Sequence, residues 1–296
     1  MSAAAPYRRE TVSCLSAAGF HRMAYRDWGP PAARGVVVCV HGLTRNGSDF
    51  DPLAAALAAE GWRVVCPDVV GRGASDWLAD ANAYGYPQYL ADMTALMARI
   101  GVEELHWVGT SMGGLFGMML AAAAGTPLRS LLLNDVGPVI PKAALAHIAG
   151  YVGKAPSFAD LAAAEAYLRD IYGAFGPLSD EHWRQVAAQS VFASDGGYRL
   201  SYDPKIAEAF KAPGDEDIAL WEVWDRITVP TLTLRGAVSE LLLPATAEVM
   251  TRRGPKSALT EIPDCGHAPW LMSDDQIALV VDWLDRQGQS GDGRAG

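Results

Sequence analysis

Short apolar runs alternate with longer helix-like stretches over most of this chain. Each run is hydrophobic at nearly every position, as in VVVCV at 36–40, and strands covered on both faces have this pattern. The runs are 35–40, 63–68, 105–109, 128–135, 229–236 and 258–263. The alternation predicts an α/β fold in which crossover helices join parallel strands.

One further segment extends the predicted sheet, and another interrupts it. VSCLSAA (12–18) and FHRMAYRDWG (20–29) flank a small turn, which predicts an antiparallel hairpin before the parallel strands. With this hairpin the predicted sheet is mostly parallel and has eight strands, flanked by helices. After residue 135 the strand signal disappears until about 217, and helix-like stretches rich in aromatic residues predict an inserted helical cap.

The predicted organisation therefore has four parts. They are a first part of the core at 1–135, the cap at 136–217, a second part of the core at 218–286 and a tail at 287–296. An amphipathic helix near 274–286 closes the core. The sequence after it, GQSGDGRAG, is Gly-rich and polar, which predicts a disordered tail.

The composition is that of a globular protein with an acidic surface. Half of the 296 residues are hydrophobic, a fifth are charged, and the formal net charge is −10. Nucleic-acid binding needs a cationic surface, so we expect no nucleic-acid partner. No apolar run is long enough to span a bilayer and the N-terminal residues do not resemble a signal peptide. We expect a cytoplasmic protein with no membrane partner.

The cysteines give no sign of a metal or disulfide site. The four of them, Cys14, Cys39, Cys66 and Cys265, are far apart in the sequence, with no CxxC pair. We read them as buried thiols and expect neither a metal nor a cofactor.

The strongest chemical signal is a serine between a predicted strand and a predicted helix. Gly109-Thr110-Ser111-Met112-Gly113 fits G-x-S-x-G in the context that a nucleophile elbow requires. The small residues allow strand and helix to approach, and the helix N-terminus favours a developing anion at Ser111. The alternative is an ordinary Ser N-cap in a Gly-rich turn.

A serine hydroxyl becomes a good nucleophile only when a base removes its proton, so a histidine must lie beside it. His267, in Asp264-Cys265-Gly266-His267-Ala268-Pro269, follows the last predicted strand and would reach the carboxyl edge of the sheet. The other histidines are His21 in the hairpin, His41 before a loop that it could support, His106 within a strand, and His147 and His182 in the insertion. The sequence therefore favours His267 as the base.

The base needs a carboxylate to orient it, and where a nucleophile elbow carries the serine the order along the chain is Ser, acid, His. Glu240 fits this order, because it follows the strand that precedes His267. Asp135 also fits, because it ends the strand after the elbow. We favour Glu240 and keep Asp135 as the alternative, since its position before Gly137-Pro138 also suits a structural turn.

The anion that forms during acyl transfer needs two hydrogen-bond donors. One is expected on the residue after the nucleophile and the other after the third strand of the sheet. These rules predict the backbone N–H groups of Met112 and Leu43 as the oxyanion hole.

Three further residues are weaker candidates for substrate binding. Arg45 could pair with a substrate carboxylate, or it could hold its own loop against Asp51 or Asp76. Trp270 after the histidine and Trp183 in the insertion could line an apolar pocket, although such residues are more often part of a core.

These motifs together resemble the α/β-hydrolase superfamily over about residues 10–286, and most closely its bacterial esterase, lactonase and cofactor-free haloperoxidase-like branch. The matching motifs are HGLTR at 41–45, PDVVGRGASD at 67–76, VGTSMGG at 108–114, LNDVGP at 133–138, LRGAVSELL at 234–242 and DCGHAP at 264–269. Relatives commonly carry Asp where this chain has Glu240.

The favoured function is hydrolysis of a small-molecule carboxylic ester, thioester or lactone through an acyl-enzyme at Ser111. The serine nucleophile argues against dehalogenase and epoxide hydrolase chemistry, which the resemblance associates with Asp. The same residues could instead support acyl transfer, perhydrolysis or carbon–carbon bond cleavage. A receptor-like binding module with little turnover is the alternative outside catalysis.

Overall fold

The computed structural model describes residues 6–30, 32–210 and 216–289. The strands are β1 (Tyr7–Ser16), β2 (Gly19–Trp28), β3 (Val36–Val40), β4 (Arg63–Pro67), β5 (Leu105–Thr110), β6 (Leu128–Asn134), β7 (Val139–Ile140), β8 (Ser157–Phe158), β9 (Val191–Ser194), β10 (Gly197–Leu200), β11 (Ile218–Ala219), β12 (Thr231–Gly236) and β13 (Ala258–Ile262). The α-helices are α1 (Asp51–Ala59), α2 (Tyr86–Ile100), α3 (Met112–Ala121), α4 (Lys142–Ala149), α5 (Leu161–Tyr172), α6 (Asp180–Ser190), α7 (Trp221–Trp224), α8 (Pro244–Met250) and α9 (Asp274–Gln289). Short 3-10 helices cover Gly47–Phe50, Ala81–Ala83, Gly173–Phe175 and Pro204–Phe210.

One large sheet organises the protein. Its strand order is β1-β2-β4-β3-β5-β6-β12-β13. β1 pairs antiparallel with β2, and β2 antiparallel with β4, whereas the remaining neighbours are parallel. The predicted hairpin and the predicted eight-stranded, mostly parallel α/β-hydrolase sheet are confirmed.

Helices cover both faces of this sheet. All five residues of β3 are buried, because each face of the strand packs against a different layer. Leu53 of α1 and Val280 of α9 belong to one core cluster, and Met93 of α2 and Phe116 of α3 belong to the other. The parallel strands therefore end together at one edge, where the loops that follow them meet.

The segment between β6 and β12 corresponds to the predicted insertion, but it is not entirely helical. It contains helices α4 to α7, but it also contains a three-stranded sheet, β8-β10-β9, and the pair β7-β11. These strands are two to four residues long, which is too short for alternation to reveal them in the sequence.

The C-terminal boundary differs from the prediction. Helix α9 continues to Gln289, so residues 287–289 are helical and not part of a disordered tail. Residues 290–296 lie outside the described residues. Within the part of the chain that the structure describes, no helix combines the length and hydropathy needed to cross a membrane.

Candidate active site

Ser111 occupies a strained turn between β5 and α3. Its backbone angles are φ 52° and ψ −116°, outside the regions that L-residues ordinarily adopt. The neighbouring glycines make this turn possible, since a Cβ on Gly113 would lie 2.0 Å from the carbonyl oxygen of Val40 and one on Gly109 would lie 2.4 Å from the Gly113 backbone. The turn has the geometry of the predicted nucleophile elbow.

His267 lies beside this serine. Its Nε2 is 2.8 Å from the Oγ of Ser111, and its Nδ1 is 2.7 Å from an Oδ of Asp135. The loop after β13 carries the histidine to the carboxyl edge of the sheet, as predicted from the sequence. Both ring nitrogens are therefore engaged, one with a hydroxyl and the other with a carboxylate.

The carboxylate beside His267 belongs to Asp135, so the prediction that Glu240 has this place is wrong. Asp135 follows β6 directly and is fully buried. Its carboxylate also accepts hydrogen bonds from the Gly236 backbone N–H, at 2.8 Å, and from the Ser239 hydroxyl. These contacts fix its orientation toward the imidazole.

Asp135 and not Glu240 contacts His267 because of the way β6 pairs with β12. The two strands are parallel neighbours, so their carboxyl ends lie side by side. The loop after β12 contributes the Gly236 N–H and the Ser239 hydroxyl to Asp135, whereas the side chain of Glu240 is exposed. Glu240 borders the open groove next to His267.

The residues predicted to supply the oxyanion hole are close to Ser111 in the fold. Leu43, in the loop after β3, lines the same cavity as Ser111. Met112 is the first residue of α3, where an N–H group has no acceptor within the helix. The role of these two N–H groups stays a prediction.

Arg72 connects these two residues and was not singled out from the sequence. It is fully buried; its Nε donates to the carbonyl oxygen of Leu43 at 2.8 Å, and one terminal nitrogen lies 3.7 Å from the sulfur of Met112. The only signal in the sequence is an arginine between two glycines in a loop after a buried strand.

His41 supports the same loop, as the sequence indicated. Its Nδ1 donates to the Gly42 carbonyl oxygen at 2.7 Å, and its Nε2 accepts from the Val69 N–H at 2.9 Å. Complete burial lowers the pKa of His41 to about 3. The neutral imidazole therefore joins the loops that follow β3 and β4.

The space around Ser111 has an enclosed part and an open part. The enclosed cavity measures about 40 Å³, and a groove of about 410 Å³ lies beyond it. His267 borders both, together with Ile148, Tyr151 and Phe175 of the insertion. These three residues therefore lie where the cavity meets the groove.

Two of the three candidate substrate-binding residues line the enclosed cavity, namely Arg45 and Trp270. The Arg45 guanidinium makes a two-point ion pair with Asp49, with the shorter contact at 2.6 Å, and donates to the Ser190 hydroxyl at 2.6 Å. It therefore holds its own loop, through Asp49 and not through the expected Asp51 or Asp76.

Trp183 is not among the residues that line the cavity, and its predicted substrate contact stays a prediction. It is buried on α6 and packs edge to face against Trp270, with ring centres 5.6 Å apart. Trp183 supports the wall that Trp270 forms.

One group of side chains among the described residues has a composition that could hold a metal ion. Cys14, His21 and Asp92 are buried together where the β1–β2 hairpin meets α2. His21 Nε2 lies 2.9 Å from an Oδ of Asp92, and burial raises the pKa of the Cys14 thiol to about 12. These values describe a hydrogen-bonded cluster with a protonated thiol, separate from the residues around Ser111.

The fold and this constellation are those of an α/β-hydrolase. The sequence pattern of the family described as alpha/beta hydrolase fold matches residues 35–271. The chain belongs to this family, which confirms the predicted fold and enzyme class.

Individual proteins with similar sequences and structures agree with this assignment. A 3-hydroxybutyrate-oligomer hydrolase of Cupriavidus necator is 48% identical over 278 residues, which are 91% of this chain and 94% of that protein. An alpha/beta hydrolase from Novosphingobium aromaticivorans superposes with a TM-score of 0.86 at 38% identity, over 96% of this chain and 99% of that one. A putative hydrolase from Rickettsia typhi has a TM-score of 0.87 at 32% identity, with 95% and 99% covered.

Proposed function

We propose that this protein hydrolyses carboxylic esters through an acyl-enzyme formed on Ser111. The observation that carries the proposal is the continuous hydrogen-bonded series from Ser111 Oγ through the two nitrogens of His267 to Asp135. A hydroxyl, an imidazole and a buried carboxylate in this order can activate a serine nucleophile.

In the proposed reaction, His267 Nε2 accepts the Ser111 proton while Oγ attacks the ester carbonyl carbon. Asp135 stabilises the imidazolium that forms, and the N–H groups of Leu43 and Met112 stabilise the oxyanion. The imidazolium then gives its proton to the leaving alcohol. Water activated by His267 releases the acid from Ser111.

The substrate class follows from the relative with the highest identity reported above. That protein acts on 3-hydroxybutyrate oligomers, in which each ester joins the carboxyl of one unit to the hydroxyl of the next. We propose short oligomers of this kind, or close hydroxyacid esters, as substrates. The insertion, as a cap, would select the acyl group with Ile148, Tyr151 and Phe175, which line the cavity.

The nucleophile is tested by covalent labelling. A fluorophosphonate should label the wild-type protein at Ser111, as located by mass spectrometry of peptides, and Ser111→Ala should abolish labelling. Ser13→Ala, at an exposed position on β1, is the matched control and should label normally. Undiminished labelling of Ser111→Ala would remove the nucleophile assignment.

The substrate is tested by following release of 3-hydroxybutyrate from its dimer and trimer. Ser111→Ala should lower kcat by several powers of ten, with a residual rate from the remaining groups. Labelling at Ser111 without turnover of any ester would instead favour a binding module on the same fold.

A further inference from the structure

Two hydroxyl groups lie together in the wall of the cavity that contains Ser111. The Oγ1 of Thr44 is 2.7 Å from the phenol oxygen of Tyr172, and both residues line this cavity. The Arg45 guanidinium lies beside the pair, 5.3 Å from the centre of the Tyr172 ring, and Phe50, Ile148 and Phe175 supply apolar parts of the same wall. The pair therefore offers two hydroxyl groups next to apolar surface in the cavity.

The pair keeps unused hydrogen-bonding capacity. Each hydroxyl has one proton and can accept hydrogen bonds, so their mutual bond uses one proton and leaves the other. Burial raises the pKa of Tyr172, and the phenol keeps its proton at neutral pH. The Thr44–Tyr172 pair can thus donate one hydrogen bond to a third hydroxyl and accept another from it.

The position of Thr44 relates the pair to the acyl half of a substrate. Thr44 follows Leu43, whose N–H is the proposed donor to the ester carbonyl oxygen. Ser111, Leu43 and Thr44 line the same cavity, so a hydroxyl on the second carbon beyond that carbonyl would lie in the part of the site that contains the pair. The small volume of the cavity, about 40 Å³, favours a short acyl chain there.

We propose that Thr44 and Tyr172 form a subsite for the hydroxyl group of a 3-hydroxyacyl chain bound to Ser111. The proposal rests on the proposed ester hydrolysis and adds which group of the substrate is recognised. The enzyme then distinguishes a 3-hydroxyacyl ester from the corresponding unsubstituted acyl ester.

The hydrogen bond between Thr44 and Tyr172 determines how strongly the enzyme should prefer a 3-hydroxyacyl ester. When the substrate lacks the hydroxyl, Thr44 and Tyr172 still bond to each other, so each hydroxyl keeps one partner. The large penalty for an orphaned polar group is therefore avoided. We expect a preference of about tenfold, typical of one net hydrogen bond.

The test compares p-nitrophenyl 3-hydroxybutanoate with p-nitrophenyl butanoate, each corrected for its rate of alkaline hydrolysis. The quantity measured is the ratio of their kcat/KM values, which cancels any loss common to both. We expect a ratio of about ten in the wild type, about one in Thr44→Val and a wild-type ratio in Thr44→Ser. Thr94→Val, at an exposed position on α2, is the control and should keep the wild-type ratio.

Tyr172→Phe provides a second variant should Thr44→Val fail to fold, and it should lower the same ratio several-fold. A ratio near one measured for the wild-type enzyme would overturn the subsite. An unchanged ratio in folded Thr44→Val would also overturn it. Neither result would contradict ester hydrolysis at Ser111. Turnover of neither ester by the wild type would overturn both the subsite and the proposed function.

Discussion

The guanidinium Nε of Arg72 donates a 2.8 Å hydrogen bond to the carbonyl oxygen of Leu43. The same group donates to the Val70 carbonyl oxygen at 2.7 Å and to the Tyr89 hydroxyl at 3.1 Å. A fully buried, rigid fork with three anchors thus holds the residue whose N–H we assign to the oxyanion hole. If Leu43 supplies that donor as proposed, Arg72 positions it.

This relationship predicts that Arg72→Met lowers kcat roughly 10- to 100-fold on p-nitrophenyl acetate with a smaller change in KM, because a donor misplaced by about 1 Å loses transition-state stabilisation. Arg72→Lys should recover little of this rate, since an ammonium lacks the fork that joins these partners.

The control is Arg22→Met, which removes an exposed arginine paired with Asp76 and should leave both kinetic constants near wild type. Circular dichroism and urea unfolding must accompany the kinetics. A folded Arg72→Met protein with wild-type kcat would contradict the positioning role. Full recovery of kcat in Arg72→Lys would mean that the charge of Arg72, and not its hydrogen-bonding geometry, supports the rate.

Two isosteric substitutions test which carboxylate orients His267. Asp135→Asn should lower kcat by about 10⁴, because the amide cannot stabilise imidazolium and favours the wrong tautomer of His267. Glu240→Gln should change kcat by less than about threefold, since this exposed side chain borders only the groove and a surface charge is well screened. The opposite ranking of the two kcat values would return the role to Glu240.

Much of the fold and part of the site could be predicted from the sequence because they depend on local patterns. Apolar runs such as β3 indicate strands buried on both faces, and the glycines around Ser111 indicate a tight strand-to-helix turn. His267 was identified because few histidines follow a strand after the serine. Each of these signals lies within a few neighbouring residues.

The remaining site residues depend on contacts between distant segments. Asp135 and Glu240 both satisfy the chain order, and only the pairing of β6 with β12 decides which carboxylate meets His267. Thr44 and Tyr172 are 128 positions apart, so no periodicity could associate them. The short strands of the insertion were missed for another reason, because two to four residues are too few to show alternation.

Burial of His106 predicts a specific dependence of stability on pH. Desolvation, with the nearby Arg129 and Arg34 charges, lowers its pKa to about 4. The folded protein therefore binds this proton less readily than the unfolded chain, and the contribution is present above about pH 6.5 and lost as pH falls toward 4. The slope from one proton is about 1.4 kcal/mol per pH unit at most.

The measurement is the free energy of unfolding in urea at pH 7, 6 and 5. His106→Gln can keep a hydrogen bond to Ser130, the present partner of His106 Nδ1, and should show a shallower fall with decreasing pH than the wild type. Because the comparison is between slopes, contributions from other groups, such as the raised pKa of Asp51, cancel. His147→Gln, at an exposed position, should retain the wild-type slope, and a wild-type slope in His106→Gln would exclude this linkage.

Ile148 predicts how the insertion limits acyl length. This half-buried residue of α4 lines both the enclosed cavity and the groove, so Ile148→Ala should join the two spaces. Four additional methylenes could then be buried, at about 0.8 kcal/mol each if fully removed from water. Because the groove stays open to solvent, we expect about a tenfold rise in the octanoate-to-butanoate ratio of kcat/KM for p-nitrophenyl esters.

Leu145→Ala, on the same helix but outside the cavity lining, should lower stability without changing that ratio. Equal effects of Ile148→Ala on both esters would mean that α4 supports folding and leaves acyl length to other residues.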